Sequence, residues 1–288
     1  MNNIPNAVDD EFDRPVFIVS SPRSGAELLY DTLMRAPRVF TVGSGSHKLV
    51  EDIDALHVRA HGFDSNRLSA GDATPEVVAQ VRQGYRDGAV DRDGARPRRM
   101  PLRLLDKTPK HSLRIPFLAK AFPQAHFVYL YRDPREALSN MLLAWESNRF
   151  CTYKSLPGWP RPHWSLLLTP GWRELAGKPL ADIVAGQWRA ATEVLLDDLA
   201  ALEPTRWRVV RYRDFIDNPA GEIARLCLSL DYAWDRPLDG GLAGLIKLPT
   251  TADAEIIRKH AADLQRAWPS LQAVADRAAR VAGAVAVH

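Results

Sequence analysis

Cysteine is nearly missing from this chain of 288 residues: Cys151 and Cys227 are the whole supply. Two thiols build neither a disulfide framework nor a zinc site, and their scarcity fits a reducing cytoplasm. No apolar run reaches the length that crosses a bilayer, so no membrane association is expected. The start, MNNIPNAVDDEFD, is too polar and acidic for a signal peptide. Charge of one sign is scarce too. Thirty-eight Lys and Arg against 35 Asp and Glu leave a formal +3, too little to imply nucleic acid. The basic cluster at residues 96–99, in DGARPRRM, is short, has no interleaved aromatics and reads as a solvated loop. No serine sits in GxSxG, so a hydrolase triad has no support, and the nucleotide-binding pattern GxxxxGK[ST] does not occur. What remains is an ordinary globule, 46% hydrophobic and 25% charged, long enough for a large core.

The most informative stretch is residues 17–29, FIVSSPRSGAELL. Val16–Val19 is a short apolar, β-branched run that predicts a buried strand. Residues 20–25 form a small-residue turn around Arg23, and from Glu27 the apolar spacing turns helical. Strand, small loop and helix N-terminus aim backbone N–H groups at a bound anion. Arg23 adds a fixed charge with a planar donor fork. A second junction of this kind lies at residues 127–140, FVYLYRDPREALSN, where Pro134 suits the first turn of a helix.

Along the chain, further strands are predicted at 38–42, 102–105, His126–Tyr131 and 207–210. Helices are predicted at 27–35, 75–85, 112–121, 134–147, 181–201, 220–228 and 254–267, with a tail helix after Pro269. Strands alternating with helices predict a single α/β domain over 1–288: a mostly parallel sheet of about five strands, flanked by helices, with ligand at the strands' carboxyl ends. Residues 1–13 are expected to be a flexible start. Residues 151–178, rich in Pro, Gly and Trp and without periodicity, read as a lid or pocket wall. Trp145, Trp159, Trp164 and Trp172 either line an apolar substrate site or belong, at least two of them, to the core. Lys107 and Lys110, in DKTPK, sit just after a strand and are expected to face the ligand. His47 is either a proton shuttle near neutral pH or a structural hydrogen-bonder.

PRSG near the amino end and YRDPRE farther on, in that order and spacing, resemble the sulfotransferases that use 3′-phosphoadenosine 5′-phosphosulfate. LDKTPKHSLRIP at 105–116, residues 159–188 and VRYRDF at 210–215 extend the resemblance over most of the chain. It implies a P-loop-like sulfotransferase fold. It also implies a phosphosulfate cradle made by Ser21, Pro22, Arg23, Ser24 and Gly25, and a 3′-phosphate site at Arg132, Ser139 and Asn140. From the residues themselves, catalytic roles are expected of Arg23, Glu27, His47 and Lys107, and no metal is expected.

The chain departs from the family pattern at several of these positions. The two hydroxyl residues that usually follow PRSG are Ala26 and Glu27, and the partner serine of the 3′-phosphate site is replaced by Asn140, beside Ser139. Gly45 stands where relatives carry a glutamate able to act as base. Residues 240–255 carry Lys247 as their only cation. Three readings follow, of which the first is preferred and the other two are alternatives. In the first, the fold is turned to sulfate elimination: Glu27 deprotonates a substrate ammonium, and the freed amine displaces sulfate in the same molecule, closing a small ring such as an aziridine, with no cofactor required. The second is sulfuryl transfer from the phosphosulfate donor to an alcohol. The third is a non-catalytic subunit. The substrate is expected to be a small or carrier-bound molecule. A protein partner is expected to meet the apolar stretch at 240–249.

Overall fold

The computed structural model describes residues 9–43, 46–237 and 251–284. Its centre is a parallel sheet of four strands: β1 (Val16–Val19), β2 (Leu105–Lys107), β3 (His126–Tyr131) and β6 (Trp207–Arg211), in the order β2-β1-β3-β6. The apolar runs form these strands because both faces are covered, as a parallel sheet requires. Phe17, Val19, Phe127, Tyr129 and Val209 point into one core. Val16, Ile18, Val128, Leu130 and Val210 point into another. Side-chain alternation therefore feeds two apolar layers at once.

The first core is closed by α3 (Pro75–Gly88), α4 (Ile115–Ala121) and α10 (Gln272–Ala284), and the second by α1 (Ala26–Leu33) and α8 (Pro219–Leu230). A third cluster gathers α5 (Pro134–Glu146), α6 (Leu180–Ala200) and α9 (Thr251–Ala267) around a group of tryptophans. The described residues also hold two short helices that the sequence pattern does not announce, α2 (Ser46–Glu51) and α7 (Tyr212–Asp217), and the hairpin β4 (Cys151–Lys154) and β5 (His163–Ser165).

Several expectations are corrected. Residues 38–42 form no strand; Phe40 and Thr41 make only isolated bridges, to Leu104 and Val90. The sheet thus has four strands rather than about five, and β2 begins at Leu105 rather than at residue 102. Residues 109–113 are a 3-10 turn, so the helix expected from 112 starts at Ile115. The supposed flexible start is tied down from Asp9 onward: Phe12 is fully buried, and Arg82 donates to both Asp9 and Glu11. Residues 151–178 are not without pattern, since β4 and β5 pair antiparallel with a bulge. Of the two readings of Trp145, Trp159, Trp164 and Trp172, all four enter the core, buried and packed edge to face, while Trp145 also lines a cavity with His163 and His260. Both cysteines are free. Among the described residues no helix is long and apolar enough to cross a membrane.

Candidate active site

Strand register places the two arginine-bearing junctions together. Val19, the last residue of β1, pairs with Tyr129 of β3, and Tyr131 at the end of β3 pairs with Arg211 of β6. The chain therefore leaves β1 at Ser20, β3 at Arg132 and β6 at Tyr212 on one rim, the carboxyl edge where α/β sheets take ligands.

The first junction is a tight, partly strained loop. Ser21 and Ser24 are buried and share a hydroxyl–hydroxyl hydrogen bond of 2.8 Å. Pro22 is buried, whereas Arg23 is exposed at the rim in a left-handed conformation, φ 61°. A non-glycine residue in that region stores strain, which is common where a side chain must be aimed. Gly25, at φ 94°, has a different reason to be glycine. A Cβ there would lie 2.5 Å from Cε2 of Tyr212.

Arg23 leans on a ring: its guanidinium carbon is 4.3 Å from the Phe150 centroid, just before β4. Arg132 does likewise, 4.1 Å from the Tyr212 centroid, while its Nε donates to Glu136 at 2.9 Å. The two arginines sense each other. The Arg23 pKa is lowered, by desolvation first and by the Arg132 charge second, with Glu27 opposing. Arg23 nonetheless remains cationic at neutral pH.

Glu27 stands in the first turn of α1 with its side chain 56% exposed, and it forms an ion pair with Lys107 at the end of β2, whose side chain is only 10% exposed. The structure thus joins two residues that the sequence singled out separately. Lys110 does not face the cleft as expected. It is buried, lies 5.5 Å from the Tyr153 centroid and donates to both oxygens of Glu51, at 2.6 and 2.7 Å. Arg114 donates to the same carboxylate at 2.7 Å. His47 lies one helical turn from Glu51 on α2, half-buried. Its pKa is lowered by desolvation first and then by Lys110, with Glu51 opposing.

The remaining site candidates are less assembled. Ser139 spends its hydroxyl proton on the carbonyl of Arg135, a turn back in α5, and Asn140 follows it half-buried. No hydrogen bond joins either of them to Arg132 among the described residues. Gly45, Lys247 and the stretch at 240–249 lie outside the described residues. The described residues hold no group of three or more His, Cys, Asp and Glu placed to bind a metal ion.

Sequence reasoning missed Phe150, Tyr212 and Glu51. The signal for Tyr212 was available, since it follows β6 as Arg132 follows β3. Glu51 is four residues from His47, the spacing that puts two side chains on one helix face. Phe150 carried no such mark. The sequence reading also passed over a buried relay under the rim. Asp106 accepts from Tyr85 Oη at 2.5 Å, His111 Nε2 at 2.7 Å and the Lys107 backbone N–H at 2.7 Å. Burial holds the His111 pKa below its ordinary value, so a neutral ring donates to the Asp106 carboxylate.

A family model described as the sulfotransferase family matches residues 15–236, more than half of the chain. Among curated relatives, omega-hydroxy-beta-dihydromenaquinone-9 sulfotransferase Stf3 of Mycobacterium tuberculosis is 29% identical over 120 residues, covering 42% of this chain and 26% of that protein. Nodulation protein NoeE of Sinorhizobium fredii is 25% identical over 270 residues, covering 86% of this chain and 57% of its own length. In both cases the match covers less than two thirds of the relative. Among solved structures, a sulfotransferase from Alicyclobacillus acidocaldarius superposes with a TM-score of 0.49 at 12% identity, covering 92% of this chain and 96% of that one.

Proposed function

Because the chain belongs to the sulfotransferase family, we propose that it transfers a sulfuryl group from 3′-phosphoadenosine 5′-phosphosulfate to an alcohol on a small or carrier-bound molecule. The observation that carries this reading is the meeting of Arg23 and Arg132 on one rim, each resting on an aromatic ring. The donor set suits a donor with two separated anionic ends: the buried hydroxyls of Ser21 and Ser24 with Arg23 at one end, Arg132 at the other. Such a donor, when bound, supplies an activated sulfuryl group.

Arg23 then stabilises the charge that develops as that group moves. Lys107, nearly buried at the end of β2, is the second cation beside the loop. His47, kept neutral by its surroundings, takes the proton of the acceptor hydroxyl on a ring nitrogen. The Glu27–Lys107 pair removes the main objection to a phosphosulfate here. A lone carboxylate at the loop would repel the donor; a carboxylate matched by a lysine does so far less.

A calorimetric titration with 3′-phosphoadenosine 5′-phosphate is the test, followed by turnover with a panel of alcohols. Micromolar binding and sulfated product are expected. A folded chain that ignores the nucleotide would overturn the reading.

One observation favours a second reading, sulfate elimination. Glu27 is more than half exposed at the loop, within reach of a substrate. As a base it would take a proton from an ammonium; the amine nitrogen would form the new bond to carbon while the carbon–oxygen bond breaks and sulfate leaves. Release of sulfate from an aminoalkyl sulfate without added donor, lost in Glu27→Gln, would put this reading first.

A further inference from the structure

Phe150 is a large apolar side chain left 39% exposed, so burial does not explain its place. It lies in the turn between α5 and β4, and its carbonyl accepts from the Leu166 N–H at 3.1 Å, just past β5. That bond closes the open end of the β4–β5 hairpin and fixes the Phe150 backbone. Its ring meets Arg23, with the guanidinium carbon 4.3 Å from the ring centroid. Arg23 has need of such a neighbour. The backbone at φ 61° aims the root of the side chain, but a long, freely rotating stem separates that root from the charge. Among the described residues no hydrogen bond or ion pair joins the Arg23 guanidinium to the protein, and the Phe150 ring is its contact. Arg132, by contrast, has Glu136 as well as the Tyr212 ring to hold it.

We propose that Phe150 is the positioning residue for Arg23: its ring takes the flat face of the guanidinium and leaves the in-plane N–H donors free to meet the sulfuryl oxygens. This rests on the reading of Arg23 as the group that stabilises the moving sulfuryl charge. A hydrogen-bond acceptor would also hold the arginine, but by using up those donors. A ring uses none of them, since the attraction is between the cation and the π face. The size of the effect follows from the same contact. At a partly exposed site a cation–ring contact favours the held arrangement by about fivefold. Losing the ring should therefore cost much less than losing the guanidinium, because an unheld Arg23 still carries its charge. Two other roles would give the ring different consequences: a wall for the acceptor, or a brace for the hairpin.

Two variants separate these roles. Phe150→Leu keeps apolar bulk and removes the π face, whereas Phe150→Tyr keeps the face. The contact is read first, without turnover, from the Arg23 Nε–H resonance in an NMR spectrum, identified by its loss in Arg23→Lys. Ring current should hold that resonance upfield in the wild type and in Phe150→Tyr, and Phe150→Leu should release it. The second arm is sulfuryl transfer from 3′-phosphoadenosine 5′-phosphosulfate to the alcohol that the wild type turns over fastest. In Phe150→Leu kcat should fall by about fivefold with the acceptor KM unchanged, and in Phe150→Tyr it should recover. The product nucleotide, 3′-phosphoadenosine 5′-phosphate, has no sulfuryl group and should bind all three proteins equally, and their unfolding temperatures should agree. An Arg23 resonance that ignores the Leu substitution would overturn the proposal, as would a loss of kcat that Tyr does not restore. So would a higher acceptor KM at constant kcat, the mark of an acceptor wall, or a lower unfolding temperature at constant kcat, the mark of a brace. If the resonance moves as expected but the wild type binds no nucleotide and sulfates no alcohol, the sulfuryl reading has failed and the ring contact has not.

Discussion

Arg23 combines exposure, backbone strain and a ring for a neighbour, a set of properties that does little for stability. Arg23→Ala should therefore cut turnover by about 100-fold or more, the effect of losing one charge-stabilising donor, while the unfolding temperature barely moves. Steady-state kinetics beside a thermal melt read both quantities. His47 makes a second prediction. Its pKa lies below the usual value of 6.5, so the neutral ring persists to lower pH than an exposed histidine would allow. The acid limb of kcat/KM should fall below pH 6.5 and disappear, with most of the activity, in His47→Gln. At this scale the sequence was legible in position, since the repeated strand-to-helix junction is what sets Arg23 and Arg132 on one rim. It was not legible where two separately suspect residues neutralise each other across strands. Glu27 and Lys107 are 80 positions apart, and only the β1–β2 pairing makes their contact visible.

Elements read well where apolar period and caps agree. The apolar runs of β1 and β3 and the Pro134 start of α5 were found within a residue or so, because burial on both sheet faces and a proline in the first helical turn leave little freedom. The strand expected at 38–42 failed for a physical reason. Phe40 and Thr41 do pair, but in single bridges to Leu104 and Val90 rather than in a ladder. Helix α9 carries a prediction of its own. His260 and Lys259 both donate to Glu146 Oε1 of α5, at 2.8 and 3.0 Å. The Glu146 pKa is lowered, by His260 first and Lys259 second. A depressed carboxylate stabilises the docked helix fully above its usual pKa of 4.5 and loses that contribution as pH falls through the lower folded value. Amide protection factors within Thr251–Ala267 should fall as pH drops below 4.5, and Glu146→Gln should flatten that response.

For the whole molecule, the late helices matter more than their Ala-rich sequence suggests. Ala278 and Ala282 of α10 enter the same core as Phe17, Phe127 and Tyr129, and α9 closes the tryptophan cluster against α5 and α6. A chain ending at residue 250 should lose its near-UV circular dichroism and precipitate, because two apolar layers would face water. The ring beside Arg23 has a consequence on a longer length scale. A carboxylate would quench an arginine's field at its source; an aromatic face holds the cation without cancelling its charge. The field of Arg23 therefore reaches beyond the cleft mouth and guides anions during diffusion. Stopped-flow association of 3′-phosphoadenosine 5′-phosphate should slow steeply as ionic strength rises toward about 0.15 M, where charges more than about 8 Å apart are largely screened, while its dissociation rate changes little.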